Sequence, residues 1–437
     1  MKKGKILADG KTKTIWEVEG DPSRVIVGNK NDITKNDNPD ETKVMVGKAE
    51  LATATTCAVF QFLKDAGIPV AFERQLSSTE FLVPKVKMIA LEIIWRRYAV
   101  GSFLKRHPYL KVPEGNQPHR FHKSVFELFL KTTGGVIKNK NGDSCGMVPN
   151  DSETGRPVDD PFIANPGDEV WRLFHPKKPS WDESADLHTE VCRADILPEG
   201  FLVEMIEDLL RQVGLALEGA WAQLGCRFID IKIELGITED GRLVVADVID
   251  ADSWRLRDSN WNELSKQLFR DNADMNEIAD KYSLVAQLAK QFRIPQQAIV
   301  VWRGSGNDPL PAIPPMAGVK VVDVILSGHK SPQKTLLKLE EILTQFPEGG
   351  VILANIGRSN GLGPTLSART SWPVFGVAVS AVNFPEDAWS NLRMPSDVPM
   401  ATILPPGNDV LMALNILAQK NPAAYMVRQL AIEKLDN

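Results

Sequence analysis

The stretch FIDIKIELG, Phe228 to Gly236, alternates so that Asp230, Lys232 and Glu234 share one face of a strand while Ile231, Ile233 and Leu235 share the other. Thr238-Glu239-Asp240-Gly241 follows as a turn signal, and Arg242 to Ile249 is a second apolar-alternating run, so the two read as a hairpin. After the apolar Leu243 to Ala246 come Asp247, Asp250 and Asp252, with Arg255 close behind. Charges backed by an apolar face, with carboxylates at the partner strand's end, fit either a functional site or a salt-bridged solvent face. As a site they suit Mg²⁺, a hard cation that takes one or two protein oxygens and completes its shell with water and nucleotide phosphates, with Lys232 limiting repulsion among the acids.

Toward the N-terminus the pattern stays β-rich. Ile15 to Val18 and Val25 to Val27 flank the Gly20-Asp21-Pro22 turn, and Asp9-Gly10 supplies an earlier one. Lys11 and Lys13, two apart after that turn, project from one face of a strand, either as a clasp for a polyphosphate or as a solvated surface pair. Thr42 to Ala66 has helical spacing and stops at Gly67 and Pro69, and helical periodicity returns over Gly200 to Leu224 and Met275 to Phe292. In RRYAVGSFLKR, Arg96, Arg97, Lys105 and Arg106 surround Gly101-Ser102, where a close-approach glycine and a hydroxyl receive an oxyanion unless the segment is only a basic surface loop. The polar, Gly- and Pro-rich segment from Thr132 to Asp182, anchored by Val136-Ile137 and Phe162-Ile163, reads as a partly mobile insertion.

After a linker at 291–297 the pattern changes. AIVVW, KVVDVIL, GGVILANI, PVFGVAV and MATIL are continuously apolar runs separated by helices, which predicts a parallel sheet covered on both faces. Ligands bind such sheets beyond the strands' carboxyl ends. Those ends carry Gly304-Ser305-Gly306-Asn307-Asp308, Ser327-Gly328-His329-Lys330-Ser331 and Gly357-Arg358-Ser359-Asn360-Gly361, glycine-rich loops suited to a phosphorylated small molecule. The imidazole of His329 is placed to move a proton in either direction.

Composition agrees with two unlike globular units. The chain has 437 residues, 43% of them hydrophobic, which excludes a single small module. A net charge of -5 gives no global attraction to nucleic acid or to an anionic membrane, so anions must be met locally. Cys57, Cys145, Cys192 and Cys226 form no C-x-x-C pair, and a reducing compartment is expected. The N-terminus lacks a secretory apolar core and no run approaches a membrane span, so a cytoplasmic protein is expected.

These motifs point to families. Residues 1–290 resemble the SAICAR (phosphoribosylaminoimidazole-succinocarboxamide) synthetases of purine biosynthesis: GKTKTIW from Gly10, RRYAVGSFLKR from Arg96, FIDIKIELG from Phe228 and ADVIDADSWRL from Ala246 occur in the family's order. The resemblance implies a β-rich α+β domain that joins a carboxyaminoimidazole ribotide to L-aspartate using ATP. On it, Lys11 and Lys13 hold ATP phosphates, Glu234 and Asp247 hold Mg²⁺, and Asp230 and Lys232 belong to the catalytic group. Arg96, Gly101, Ser102, Lys105, Asp252 and Arg255 bind the ribotide and aspartate. Val100 and Ala90 depart from the family's usual residues, and the 132–182 segment is longer than its usual connection.

Residues 298–437 resemble the animal-type aminoimidazole ribotide carboxylases through IGRSNGLGPTLS, SNLRMPS and LSGHKSP. The resemblance implies a flavodoxin-like three-layer α/β domain that carboxylates aminoimidazole ribotide with CO₂, using neither biotin nor ATP, with His329 handling the ring proton. Gly304, Ser305, Asp308, Lys330, Arg358, Ser359 and Gly361 then bind ribotide and CO₂. Asn307 replaces a serine, Trp302-Arg303 a smaller apolar approach, Gly328 an alanine and Ser331 a glycine. The expected protein is a bifunctional enzyme, forming a homo-oligomer through its carboxylase units. The competing readings are a synthetase with a noncatalytic ribotide-binding or assembly module and, from the first motifs alone, a small-molecule kinase.

Overall fold

The alternation around Phe228 is realised as the strand Arg227–Thr238, which organises the larger sheet of the first unit. Its residues 230–233 pair antiparallel with Arg96 to Ile93 of the strand Leu91–Tyr98, and 234–237 pair with Ala246 to Leu243. The strand Trp254–Arg257 returns to pair with its beginning. The expected hairpin is present but shorter than the apolar run: pairing ends at Ala246, and the chain turns at Asp247, whose φ of 66° lies in the left-handed region. Trp95, Ile231, Ile233 and Leu235 form the buried face, covered by the helix Val203–Gln223. The described residues of this computed structural model are 1–34, 42–271, 273–404 and 406–435, and they divide into units Met1–Phe292 and Arg293–Leu435.

A five-stranded sheet at the start of the first unit carries Lys13 at the head of the strand Lys13–Val18. The helix expected from Thr42 begins instead at Lys48, because Thr42–Val44 pairs as a strand with Asp32–Thr34. The 132–182 segment, expected as an insertion, carries strands of its own. Val136–Lys138 and Ser144–Met147 belong to a three-stranded sheet, and Phe162–Ile163 and Val170–Phe174 extend the large sheet. Buried Ile137, Val148, Ile163, Trp171 and Leu173 hold that segment in place.

In the second unit five parallel strands stand in the order Val319–Ile325, Gln297–Arg303, Gly350–Ile356, Val374–Ala378, Ala401–Ile403. In chain order this is 2-1-3-4-5, the flavodoxin-like order. One face packs on the helices Pro332–Gln345 and Leu362–Ser367, the other on Asn408–Leu417 and Pro422–Glu433, giving three layers. The two edge strands depart from double coverage: Val319–Ile325 leaves Val321 and Ile325 exposed, and Ala401–Ile403 is not fully buried at any position. All four cysteines are free thiols.

Helix and sheet in the first unit meet where Gly214 lies against the fully buried Trp95, and a Cβ at Gly214 would overlap the indole. Gly214→Ala is therefore expected to destabilise the first unit by about 1–3 kcal/mol through overpacking, even though alanine is the better helix former. Denaturant unfolding followed by tryptophan fluorescence measures this; an unchanged midpoint would show that the contact relaxes freely.

Candidate active sites

The charged face of the strand Arg227–Thr238 meets a different partner at each position. Asp230, buried, stands level with Arg96 on one neighbouring strand and Arg255 on the other. It accepts from Arg255 Nη1 at 2.6 Å and also from Arg96. Arg96 donates from Nε to Glu127 Oε2 at 2.9 Å and from Nη1 to the Val100 carbonyl at 3.2 Å, and Arg106 donates to the other Glu127 oxygen. The result is a buried chain, Arg106, Glu127, Arg96, Asp230 and Arg255. Gly101, at φ 62°, lies directly against the Arg255 guanidinium, where a Cβ would collide, so this glycine is required by both conformation and space.

Above that chain the pairs involve lysine. Lys232 donates to Glu92 at 2.6 Å, Lys131 pairs with Glu234, and Lys13 pairs with Asp247. Burial pushes the Lys13 ammonium down to about 8, with Glu234 acting in the opposite direction. Lys11 is exposed at the turn before the strand, Ser102 is half-buried, and Lys105 is exposed on the short helix Ser102–Arg106. Glu234 and Asp247 lie one residue apart in register, since Glu234 opposes Ala246. Two such hard oxygen donors, each already facing a cation, fit Mg²⁺ as a donor set.

Asp252 is placed differently. Its oxygens accept from Lys48 and Lys266, each at 3.2 Å, and from the Tyr282 hydroxyl. Burial alone would raise its carboxyl, but the two ammonium groups outweigh that and hold it down at about 2. Asp250, buried beside it, is pushed upward by burial and by the Asp252 charge.

In the second unit the three expected loops do stand at the strand ends, and two of them meet at the switch point between Gln297–Arg303 and Gly350–Ile356. The Asp308 carboxylate sits between Gly304 and Gly357, where a Cβ on either would lie 3.7 Å from one of its oxygens, and it accepts the Ser305 amide at 2.9 Å. Ser305 Oγ in turn accepts the Asn307 amide at 3.2 Å. The exposed His329 ring rests on Gly361, with Ser359 Oγ 3.4 Å from Nε2. Lys330 and Arg358 extend into solvent beside it. Gly328 stands where the related family has alanine because a Cβ there would come within 2.9 Å of Leu362 Cα.

Several residues of these sites escaped the sequence reading. Glu127 is a lone acid inside the apolar strand run SVFELFL, a signal that a buried arginine must face it. Lys48, 2% exposed at a helix start, has no sequence mark distinguishing it from a surface lysine. Lys131 and Glu92 become visible only through strand pairing. Asp160, at φ 50°, is pushed up to about 6 by burial and by Glu92; it lies within the 132–182 segment, so that segment reaches the charged face.

A charged sheet face built from lysine–carboxylate pairs, joined in one chain to a three-layer α/β unit with glycine-rich loops at its switch point, defines a two-unit enzyme of phosphorylated metabolites. Comparisons with known proteins specify it. Residues 6–145 and 184–287 match the SAICAR synthetase family, and residues 313–433 match the AIR carboxylase family. The bifunctional phosphoribosylaminoimidazole carboxylase/phosphoribosylaminoimidazole succinocarboxamide synthetase of Drosophila melanogaster is 31% identical, covering 100% of this chain and 93% of its own length. The Homo sapiens protein of the same name is 30% identical, covering 96% and 91%. A crystal structure of the synthase from Ehrlichia chaffeensis covers 65% of this chain and 98% of its own at 22% identity, with a TM-score of 0.47. The chain belongs to the bifunctional AIR carboxylase/SAICAR synthetase family. It is an enzyme with a ligase unit and a carboxylase unit, which favours the two-activity reading over a noncatalytic second module or a kinase. No helix among the described residues is long and apolar enough to cross a membrane.

The buried arginine chain yields a stability prediction. Glu127→Gln leaves Arg96 and Arg106 short of a counter-charge, and the expected loss is about 3–5 kcal/mol of unfolding free energy. Chemical denaturation checks this; a loss under about 1 kcal/mol would mean that water replaces the carboxylate.

Proposed function

We propose that the C-terminal unit, residues 298–437, carboxylates aminoimidazole ribotide with CO₂, and that the N-terminal unit, residues 1–290, ligates the product to L-aspartate with ATP and Mg²⁺. Residues 291–297 serve as linker. The observation that carries the synthetase assignment is the pairing of Glu234 and Asp247 with Lys131 and Lys13, where phosphates and a hard cation would each find a partner.

A carboxylate is a poor electrophile. In the ligase step its oxygen attacks the γ-phosphorus, ADP departs, and the aspartate amine then attacks the acyl carbon and expels phosphate. Lys11 and Lys13 bind the phosphates, and Glu234 and Asp247 would hold Mg²⁺, which offsets charge on the phosphoryl group. Lys232 and Asp230 lie on the same strand face, and Arg255, Gly101, Ser102 and Lys105 line the ribotide and aspartate side with Arg96 as its buried support. In the carboxylase step the ring carbon attacks CO₂, and His329 takes the ring proton as aromaticity returns. The loops at Gly304, Ser305 and Asp308, and at Lys330, Arg358, Ser359 and Gly361, bind ribotide and CO₂, with no biotin required. The exposed Val321, Ile325, Val382, Phe384 and Trp389 of this unit favour a homo-oligomer built through it. A cytoplasmic location with no nucleic-acid partner fits the net charge of -5.

Aminoimidazole ribotide, bicarbonate, Mg-ATP and aspartate together are expected to yield the succinocarboxamide, with ATP turnover absent when aspartate is withheld. His329→Ala should lower carboxylation by about 10²–10⁴-fold and leave ligation of supplied carboxyaminoimidazole ribotide intact; full carboxylation in that variant removes His329 from the chemistry. Lys13 is charged below and neutral above about pH 8 in the free enzyme. The kcat/KM for ATP is therefore expected to fall as pH rises through 8, and Lys13→Arg should move that limb upward, since a guanidinium stays protonated there. A profile unchanged by Lys13→Arg would assign the limb to another group.

A further inference from the structure

The first crossover of the second unit lacks the element that usually makes one. Parallel neighbours such as Gln297–Arg303 and Val319–Ile325 are ordinarily joined through a helix, but residues 304–318 contain none. The match to the carboxylase family begins only at residue 313, after the first glycine-rich loop. The loop's own hydrogen bonds, from the Ser305 amide to Asp308 and from the Asn307 amide to Ser305, tie it only to itself and give it no frame against the sheet, yet it supplies Gly304, Ser305 and Asp308.

Two buried polar side chains supply the frame. Along the sheet face formed by Ile299, Val301, Val351 and Leu353, the next inward positions are Arg303 and Asn355, which are direct partners in register. Arg303 is 7% and Asn355 4% exposed. Arg303 Nη1 donates to the carbonyls of Gly306 at 3.2 Å and Asp308 at 2.7 Å, while Nε and Nη2 hold Asp323 at 2.9 and 2.5 Å. Asn355 Nδ2 donates to the Pro309 carbonyl at 2.7 Å. Three carbonyls of the loop, those of Gly306, Asp308 and Pro309, are thus tied to two neighbouring strands. Ile313 and Met316 then pack over the rest of the face that a helix would have covered.

We propose that Arg303 and Asn355 are positioning residues of the carboxylase reaction: they hold the helix-less loop in the shape that receives the ribotide's phosphate. This rests on the carboxylase reading of the second unit. It assigns a function to the Trp302-Arg303 departure, because a small apolar residue at 303 has no donors for these carbonyls.

Arg303→Met, Arg303→Lys and Asn355→Leu in the full chain test it. In Arg303→Met the KM for aminoimidazole ribotide should rise about tenfold or more, the factor expected from losing charge-assisted hydrogen bonds, with kcat within about threefold. Arg303→Lys should recover part of the loss, since an ammonium reaches one carbonyl but does not bracket two. Hydrogen exchange of the amides in 304–310 should accelerate in Arg303→Met and in Asn355→Leu. Ligation of supplied carboxyaminoimidazole ribotide, unchanged, reports an intact first unit. An unchanged KM, or a fall in kcat alone, overturns the proposal, as does unaltered exchange. If Arg303→Met unfolds the second unit, Asn355→Leu decides by the same readings. If the wild-type chain does not carboxylate at all, the functional reading fails. Calorimetric affinity for aminoimidazole ribotide then decides separately, with weaker binding in the variants supporting the positioning role and equal binding ending it.

Discussion

The first unit depends on two buried arginines, Arg96 and Arg106, whose charges are met by Glu127 and Asp230. Arg96 is 1% exposed, and removing a guanidinium from water costs several kcal/mol unless it is paired and hydrogen-bonded in good geometry. The cost is offset only if strands Leu91–Tyr98, Arg120–Leu130, Arg227–Thr238 and Trp254–Arg257 hold the register that brings Arg96, Glu127, Asp230 and Arg255 side by side. A shift of one residue would turn each of these groups into the apolar layer around Trp95. The ion chain thus works as a register lock, and the lock sets where the Gly101 turn lies.

The second unit ties its first loop to the sheet through Arg303, itself paired with Asp323. Its parallel sheet fixes where five strand ends stand, and the chemistry is placed on the loops that leave them. Close approach adds to that frame: Gly361 admits the His329 ring, Gly328 admits Leu362, and Gly304 and Gly357 admit the Asp308 carboxylate between them. Backbone amides and one imidazole are then gathered at the switch point without burying an unpaired charge.

Much of this was legible in the chain because period and motif coincide with geometry. Alternation in FIDIKIELG gave the site face of its strand, and the unbroken apolar runs after residue 297 gave the parallel sheet. What stayed hidden depends on partners far away in sequence. Glu127 and Lys131 reach Arg96 and Glu234 only after strands pair, and Lys48 reaches Asp252 only after its helix packs. The strands of the 132–182 segment stayed hidden because its buried anchors are scattered singly among polar residues, so no window shows a period. The helix start misled because a three-residue strand, Thr42–Val44, overrides helical spacing through pairing that no local pattern encodes.

The charged groups of the first unit fall into two layers whose exposure differs in a way that matters for chemistry. In the arginine layer, Arg96, Arg106, Glu127 and Asp230 have side chains at most 5% exposed. In the lysine layer, Lys13, Lys131 and Lys232 are 25%, 40% and 43% exposed. Each of these lysines keeps more contact with water than the arginines beneath, so its pairing is the more readily exchanged. On the proposed reading, a polyphosphate arriving with its cation replaces lysine–carboxylate contacts by lysine–phosphate and carboxylate–cation contacts, so no charge is stranded at any stage. The same exchange in the arginine layer would uncover buried charge and is forbidden energetically. The site therefore keeps rigid geometry beneath and exchangeable partners above, and this layering is how a chain of net charge -5 accommodates an anion.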